Sequence, residues 1–252
     1  MRQSLAIAQV EVRKIVRDPT EIFTRSIQPT LWLLVLGQVF TRTRAIPTGA
    51  LSYLEFMAPG VLAQSVLFSA IFYGISIIWE RDLGIVHTLL VSPASRGALV
   101  SGKAIAAGLR ALSQGVIVFL LALVLGVRMR TDPLSLAGVA MAIMLGGALF
   151  STFSFVIACM VKTRERFMGI GQVLTMPLFF ASNAIYPIEI MPEWLKVVAH
   201  VNPLTYLVNA LRELMIQGGQ STAGLPTDFA VLGVVFVALV LMAARLYPGI
   251  VR

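Results

Sequence analysis

The stretch whose spacing comes closest to a chemical motif is GALVSGKA at residues 97–104, which follows the phosphate-loop pattern G-x-x-x-x-G-K. A phosphate loop needs Ser or Thr at the next position to hold Mg²⁺, and it joins a strand to a helix. Here that position is Ala104, which opens a long apolar run, and no strand pattern precedes it. We therefore predict that the stretch binds no nucleotide and that Lys103 lies at the level of the lipid headgroups.

The other reactive side chains are scattered along the chain. His87 and His200 are far apart, and neither has carboxylates or cysteines clustered around it. Cys159 is the single cysteine, so an intrachain disulfide and a cysteine metal cluster are both excluded. The motifs H-E-x-x-H and G-x-S-x-G are absent. We expect this chain to have no enzymatic activity, no metal site and no cofactor.

The elements that position these side chains are predicted to be membrane helices. Apolar residues make up 58% of the chain and charged residues only 13%, whereas a soluble domain has roughly 25% charged residues. Several runs exceed the ~18 apolar residues that predict a membrane span, and no alternating segments of about 10 residues predict a barrel. The sequence indicates one domain, residues 1–252, that is an all-α integral membrane protein.

Six transmembrane helices are predicted. The first is weak, because Arg25 and Gln28 lie in its first turns, and Pro177 predicts a kink in the fifth. The predicted spans are residues 22–40, 56–79, 104–127, 134–161, 167–185 and 228–247.

The fourth predicted span is rich in small residues, namely Gly138, Gly146, Gly147 and Ala148. Small residues let helix backbones approach closely in membranes. We therefore expect tight helix packing at this span and, from it, two copies of such a chain in each complex.

The placement of positive charge predicts the orientation. The net charge of +8 comes from Lys and Arg clustered in short loops, which is typical of the positive-inside rule rather than of nucleic-acid binding. The N-terminal segment, residues 80–110, residues 162–166 and the C-terminal end hold 14 of these cations, and the opposite loops hold six, Arg212 among them. We predict a multi-pass protein of the inner or plasma membrane with both termini in the cytoplasm.

Acidic residues are almost absent from the predicted spans. Proton- or sodium-coupled carriers usually keep Asp or Glu inside the membrane. The absence disfavours an ion-coupled secondary carrier, which stays an alternative.

Residues 1–18 form the first of two predicted cytoplasmic amphipathic helices. Apolar residues from Leu5 to Ile15 share one face, and Arg13 and Arg17 lie mostly opposite. This pattern predicts an interfacial helix on the membrane surface. An ordinary helical tail is the alternative.

The second predicted amphipathic helix lies in the segment Glu80–Lys103, between two apolar runs. Leu83, Val86, Leu89 and Leu90 recur at helical spacing, and Ser92-Pro93 ends the helix, since proline lacks an amide proton. A helix tied at both ends to membrane spans is suited to receive a push from a soluble partner. A solvated loop is the alternative.

The longest segment outside the predicted spans is residues 186–227. Pro192-Glu193-Trp194 predicts a helix start at the membrane boundary, and Asn202-Pro203 predicts the start of an amphipathic helix over Leu204–Ile216. Two short helices dipping into the outer leaflet fit this pattern. An ordered external loop without function is the alternative.

The whole chain resembles the membrane subunit of a type-2 ABC exporter, and it is most similar to the daunorubicin-resistance and nodulation-factor exporter permeases. The residues that carry the resemblance are Glu80–Gly84, Leu90–Pro93 and Lys103, followed by Asn202–Tyr206 with Arg212. The resemblance implies two copies of a separate ABC ATPase that hold the ATP and Mg²⁺. It also implies a second permease chain, as a homo- or heterodimer, in membrane lipid.

The resemblance further implies roles for individual residues. Ile85-Val86-His87 departs from relatives that often have a threonine and further charges there, which puts polar contacts to the ATPase at that turn in doubt. The residues expected to couple to the ATPase are Glu80, Arg81, Asp82, Leu83, Gly84, Val86, Leu89, Leu90, Pro93, Arg13 and Arg17. The residues expected to form an external gate are Asn183, Tyr186, Pro187, Asn202, Pro203, Tyr206 and Arg212.

The expected function is ATP-driven export of an amphipathic drug, lipid or lipid-linked glycan. Almost no fixed charge lies in the spans, which suits such cargo better than ions. A polysaccharide or teichoic-acid exporter permease of the same family is the nearest alternative. An ion-coupled carrier and a non-transporting membrane scaffold are the alternatives from other classes.

Overall fold

The structure is a computed structural model that describes residues 19–83, 96–161 and 163–246. Within these ranges it is helical, with one isolated antiparallel bridge between Met129 and Ile216. The helices are α1 (Pro19–Leu31), a π-helical turn (Trp32–Gly37), α2 (Gln38–Thr43), α3 (Tyr53–Asp82), α4 (Arg96–Val124), α5 (Pro133–Met160), α6 (Arg164–Phe180), a 3₁₀ turn (Ile188–Ile190), α7 (Glu193–Val201), α8 (Pro203–Met215) and α9 (Leu225–Leu246).

Four of these helices, α3, α4, α5 and α9, are long and apolar enough to cross a membrane. They coincide with the second, third, fourth and sixth predicted spans. The largest difference lies at the start of α4, which begins at Arg96 rather than at Ala104. The other ends differ by at most three residues, and α3, for example, continues through Glu80–Asp82. Charged residues mark where the apolar core stops, but a helix extends past that point while its backbone hydrogen bonds continue.

The first and fifth predicted spans fall on shorter helical pieces. Residues 19–43 are divided into α1, the π-helical turn and α2, and Pro29 lies inside α1 three residues before the π-helical turn begins. Helix α6 has 17 residues and ends at Phe180, one turn after Pro177, so this proline lies near the end of the helix rather than at a central kink.

Helix α5 packs against its neighbours through its small residues. A Cβ atom built on Gly147 would lie 2.6 Å from the Ala111 Cβ of α4, and one on Gly146 would lie 2.6 Å from the Leu207 Cδ2 of α8. The predicted close packing is therefore present, but it occurs within one chain. Because α4 and α8 already cover these glycines, their packing does not test the expected second chain, which stays a prediction.

The connections between helices gather at two ends of the bundle. At one end the Arg128 Nε donates to the Glu55 Oε1 at 2.7 Å, and the Gln217 amide donates to the Met129 carbonyl at 2.9 Å. At the other end Arg164, the first residue of α6, pairs with Asp82 at 2.8 Å. We call these the Glu55 end and the Asp82 end.

Candidate functional site

The Glu55 end is built around a buried arginine. Arg212 of α8 is only 5% exposed, and its guanidinium carbon lies 4.0 Å from the ring centroid of Phe56 at the start of α3. Its Nη2 donates to the Asn183 carbonyl at 2.7 Å. Burial lowers the pKa of Arg212 to about 10, so the side chain is still charged at neutral pH. The sequence predicts Arg212 on an amphipathic helix outside the spans, and α8 is that helix. The sequence does not predict that α8 carries this side chain into the protein interior.

A series of buried amides continues from Arg212. The Asn183 Nδ2 donates to the Asn209 Oδ1 at 2.5 Å, and the Asn209 Nδ2 donates to the Thr222 hydroxyl at 2.9 Å. The Asn202 Nδ2 donates to the carbonyls of Leu178 and Ala181, and its Oδ1 caps α8. These hydrogen bonds leave the Asn183 Oδ1 without a partner in the described residues, so the network is only partly satisfied. They fasten the turn after α6 to α8.

The remaining residues predicted for the external gate lie in the same region. Tyr186 donates to the Phe180 carbonyl, and Tyr206 donates to the His200 carbonyl at 2.7 Å. Pro187 precedes the 3₁₀ turn, and Pro203 is the first residue of α8. Within the predicted set, Asn183, Pro187 and Arg212 line one crevice at the Glu55 end, and α8 connects Arg212 to Asn202, Pro203 and Tyr206.

Two acidic residues at this end are buried, Glu55 just before the second predicted span and Asp228 at the start of the sixth. Glu55 pairs with Arg128, and Asp228 accepts from the Ser221 hydroxyl at 2.7 Å. Both lie at a helix start, where the sequence pattern gives no sign of burial. The sequence does give a sign of their polar neighbour Asn209. Its spacing of four residues from Thr205 and three from Arg212 places all three on one face of α8.

A second site lies midway along α3, in a cavity of about 140 Å³ between α1, α3 and α4. Gln64 is 2% exposed, and neither its Oε1 nor its Nε2 has a hydrogen-bond partner in the described residues. The Gln114 Nε2 donates to the Ser26 hydroxyl at 3.1 Å. The lining residues, none of which is charged, are Thr24, Gln28, Pro29, Gln64, Ser65, Phe68, Ser69, Phe72 and Gln114.

None of the lining residues is charged, so the distribution of charge in the sequence gives no sign of this cavity. The available signal was the run of uncharged polar residues Gln64, Ser65 and Ser69 inside an otherwise apolar helix. A buried amide without a partner is costly. The cavity is therefore a place where a ligand or water with both donors and acceptors is stabilised.

The residues predicted for coupling lie partly within the described structure. Glu80, Arg81 and Asp82 form the last turn of α3 rather than a separate charged loop, and Leu83 follows it with 68% of its surface exposed. The Arg164 guanidinium that pairs with Asp82 also lies 3.8 Å from the ring centroid of Trp79. The residues that lie outside the described structure are Gly84, Val86, Leu89, Leu90, Pro93, Arg13 and Arg17.

The near-phosphate-loop stretch is entirely helical. Residues 97–104 lie inside α4, so no loop is available to surround a phosphate. Lys103 is buried at 8% exposure in this helix.

The comparison with known proteins agrees with this architecture. The profile of the family described as ABC-2 type transporter matches residues 2–216, well over half of the sequence. The chain belongs to the ABC-2 type transporter family. The matched part includes the Gln64 cavity and the whole of α8, and it ends before α9.

Three relatives show the extent of the similarity. A protein of Cyanophora paradoxa named as transport permease ycf38 is 28% identical over 201 residues, covering 79% of this chain and 69% of that protein. The daunorubicin resistance ABC transporter permease protein DrrB1 of Streptomyces coeruleorubidus is 26% identical over 197 residues, covering 78% and 69%. The inner membrane transport permease YadH of Escherichia coli K12 is 24% identical over 222 residues, covering 86% and 82%.

The family and these names define the class of protein. The family is one of transport permeases rather than a known enzyme class, and ABC-2 permeases generally work with ABC ATPase partners. The protein is therefore a transport permease with several apolar membrane helices.

Proposed function

We propose that this permease is the membrane subunit of an ATP-driven exporter that moves an uncharged or weakly charged amphipathic molecule, such as a drug, a lipid or a lipid-linked glycan. Its family membership supports the ABC ATPase partner. The observation that carries the cargo class is the Gln64 cavity, where uncharged amides and hydroxyls lie beside the rings of Phe68 and Phe72. Such a lining can bind an apolar body with a neutral hydrogen-bonding group.

The proposed complex contains two permease chains, as a homo- or heterodimer, and two copies of an ABC ATPase that hold all ATP and Mg²⁺. The proposed coupling elements are the N-terminal helix and the segment that follows Asp82. ATP binding would close the two ATPase subunits, push on these segments and rock the helices between two states. In this proposal the Asp82 end and both termini face the cytoplasm of the inner or plasma membrane, and the Glu55 end faces outward.

The buried acids of the Glu55 end give a specific reason to keep the ion-coupled carrier as a second candidate. Asp228 is fully buried, and its Oδ1 has no hydrogen-bond partner in the described residues. Intramembrane carboxylates of this kind mark proton or sodium pathways in carriers. Reconstituted vesicles distinguish the two functions, because the carrier would transport with an ion gradient and no ATPase.

The test of the proposed exporter is to reconstitute the permease with its ATPase and to measure transport and ATP hydrolysis together. Leu89→Asp should stop transport and abolish stimulation of hydrolysis by cargo, because burying two or three leucine-sized side chains on the ATPase would contribute roughly 4–8 kcal/mol before ordering costs. Arg96→Ala should have a milder effect. The permease alone should neither bind nor hydrolyse ATP.

The matched control places the same change at the opposite end. Leu134 is an exposed leucine in the first turn of α5, at the Glu55 end, so Leu134→Asp introduces the same charge away from the proposed ATPase contact. It should leave coupling intact. Transport by Leu89→Asp at the unmodified rate would refute the coupling role of this segment.

A further inference from the structure

A crevice of about 370 Å³ opens at the Glu55 end beside Arg212. The loop at residues 47–51 forms one wall, and the 3₁₀ turn that contains Glu189 forms another. The crevice is also lined by Phe56, Asn183 and Thr222. The crevice is distinct from the Gln64 cavity, which lies midway along α3.

Arg212 is the unusual member of this lining. This residue is only 5% exposed, yet it forms no ion pair with a carboxylate in the described residues. Its Nη2 contacts two backbone carbonyls, but its Nε has no hydrogen-bond partner. Buried charges are normally paired, because their desolvation is costly. Arg212 lines the crevice, so an anionic oxygen bound there would offset its charge, which the Glu189 carboxylate offsets only at longer range.

The crevice also contains a negative charge, which limits what that ligand is. Glu189 is exposed and lines the same crevice, but it forms no ion pair with Arg212. A bare anion would be repelled by this carboxylate. A zwitterion places its anionic group on Arg212 and its ammonium group towards Glu189.

The neighbouring helix indicates that the zwitterion belongs to a lipid. Helix α7 follows Glu189 closely and exposes Trp194, Val197 and Val201, with Ile190 just before them. Exposed apolar residues with a tryptophan are typical of a helix at the membrane interface. A headgroup in the crevice would leave its acyl chains beside this apolar surface.

We propose that this crevice binds the headgroup of a zwitterionic phospholipid, with the phosphate on Arg212 and the ammonium group facing Glu189. The ammonium of phosphatidylethanolamine suits the site better than the quaternary group of phosphatidylcholine, because only the former donates hydrogen bonds. Lipid binding at this crevice requires neither the exported cargo nor the ATPase, so its test is independent of the proposed exporter function.

The test uses the full chain in nanodiscs of equimolar phosphatidylethanolamine and phosphatidylglycerol, released into detergent and examined by native mass spectrometry. The unmodified protein should retain phosphatidylethanolamine in preference to phosphatidylglycerol by up to about fivefold, because a partly exposed charge pair contributes up to about 1 kcal/mol. Glu189→Gln should remove this preference. Glu193→Gln is the matched control, since Glu193 is an exposed carboxylate four residues away that pairs with Lys196 and does not line the crevice.

Arg212→Gln should lose retention of both lipids by about tenfold or more, because a charge-assisted hydrogen bond is removed. If that variant does not fold, the Glu189→Gln result decides alone, since the Glu189 side chain is exposed. Equal retention of the two lipids by the unmodified protein would overturn the proposal, as would an identical response to Glu189→Gln and Glu193→Gln. Displacement by soluble glycerophosphoethanolamine as readily as by the lipid would overturn its assignment to a membrane lipid.

Discussion

The contact between α3 and the turn after α6 makes a sharp prediction about Gly60. A Cβ atom at this position would lie 2.7 Å from the Ala184 Cα and closer still to the Ala184 carbonyl oxygen. Both atoms belong to the backbone, so no side-chain rotation relieves the clash. Ala184 follows Asn183, whose carbonyl holds Arg212, so the clash also reaches the buried network at the Glu55 end.

The expected size of the effect follows from two opposing terms. Overpacking by one methyl group costs typically about 1–3 kcal/mol, whereas replacing a helical glycine by alanine gains about 0.5–1 kcal/mol. Gly60→Ala should therefore lower the free energy of unfolding by roughly 1–2 kcal/mol. For a chain of this size each kcal/mol corresponds to about 2–4 °C in Tm. We expect a decrease of about 2–8 °C in a thermal assay on the detergent-purified protein.

The chain offers a matched control for this substitution. Gly233 lies within α9, and a Cβ atom there meets nothing within 4 Å. Gly233→Ala should leave the Tm unchanged or raise it by a few degrees, through helix propensity of about 1 kcal/mol. If Gly60→Ala is as stable as Gly233→Ala, then α3 and the turn after α6 do not pack as closely as described, and the reasoning fails.

Two further predictions concern the cavity and the orientation. Gln64→Leu should keep or raise thermal stability, because an unpartnered buried amide costs about 1–3 kcal/mol. The same change should reduce cargo-stimulated ATP hydrolysis in the reconstituted complex. Normal stimulation would show that the cavity holds no cargo. In a cysteine-free background, an impermeant thiol reagent should reach a cysteine at Arg164 only from the cytoplasm and one at Arg130 only from outside, and the reverse pattern would overturn the predicted topology.

The four long helices could be predicted from the apolar runs, because a helix that spans a membrane needs about 20 consecutive apolar residues and these runs are that long. The short helices α7 and α8 fall where proline and asparagine start signals predict them. The subdivision of residues 19–43 could not be predicted, since the pattern of apolar residues there reads as one continuous span. The helical state of Arg96–Lys103 was missed for a different reason, because polarity was treated as the end of a helix.

Residues of the candidate sites could be predicted where the sequence pattern next to them indicates their role, and could not where the role depends on contacts between distant positions. Asn202 at a cap and Arg212 on an amphipathic helix are local signals, and both residues lie where these signals predict them, at the start of α8 and within it. The burial of Arg212 and the Glu55–Arg128 pair depend on residues 156 and 73 positions apart, so no local pattern shows them. The unpartnered state of Gln64 is likewise a property of the packed bundle.

Helix α3 connects all the sites, which leads to a final prediction. It carries Phe56 beneath Arg212 at one end, Gln64 in the middle and Asp82 at the other end. Its 30 residues span about 45 Å. If α3 moves as one rigid body when the ATPase pushes on the Asp82 end, the contact between Phe56 and Arg212 must change in the same step.

The measurement is a double-mutant cycle on transport by the reconstituted complex, with Asp82→Asn and Phe56→Leu. The two positions are about 39 Å apart along the helix, and changes at such separated sites normally add in free energy. A rigid α3 predicts non-additive effects, because each change alters the same movement. Additive effects would show that α3 bends or that the two ends act independently, since mere position on one helix does not establish coupling.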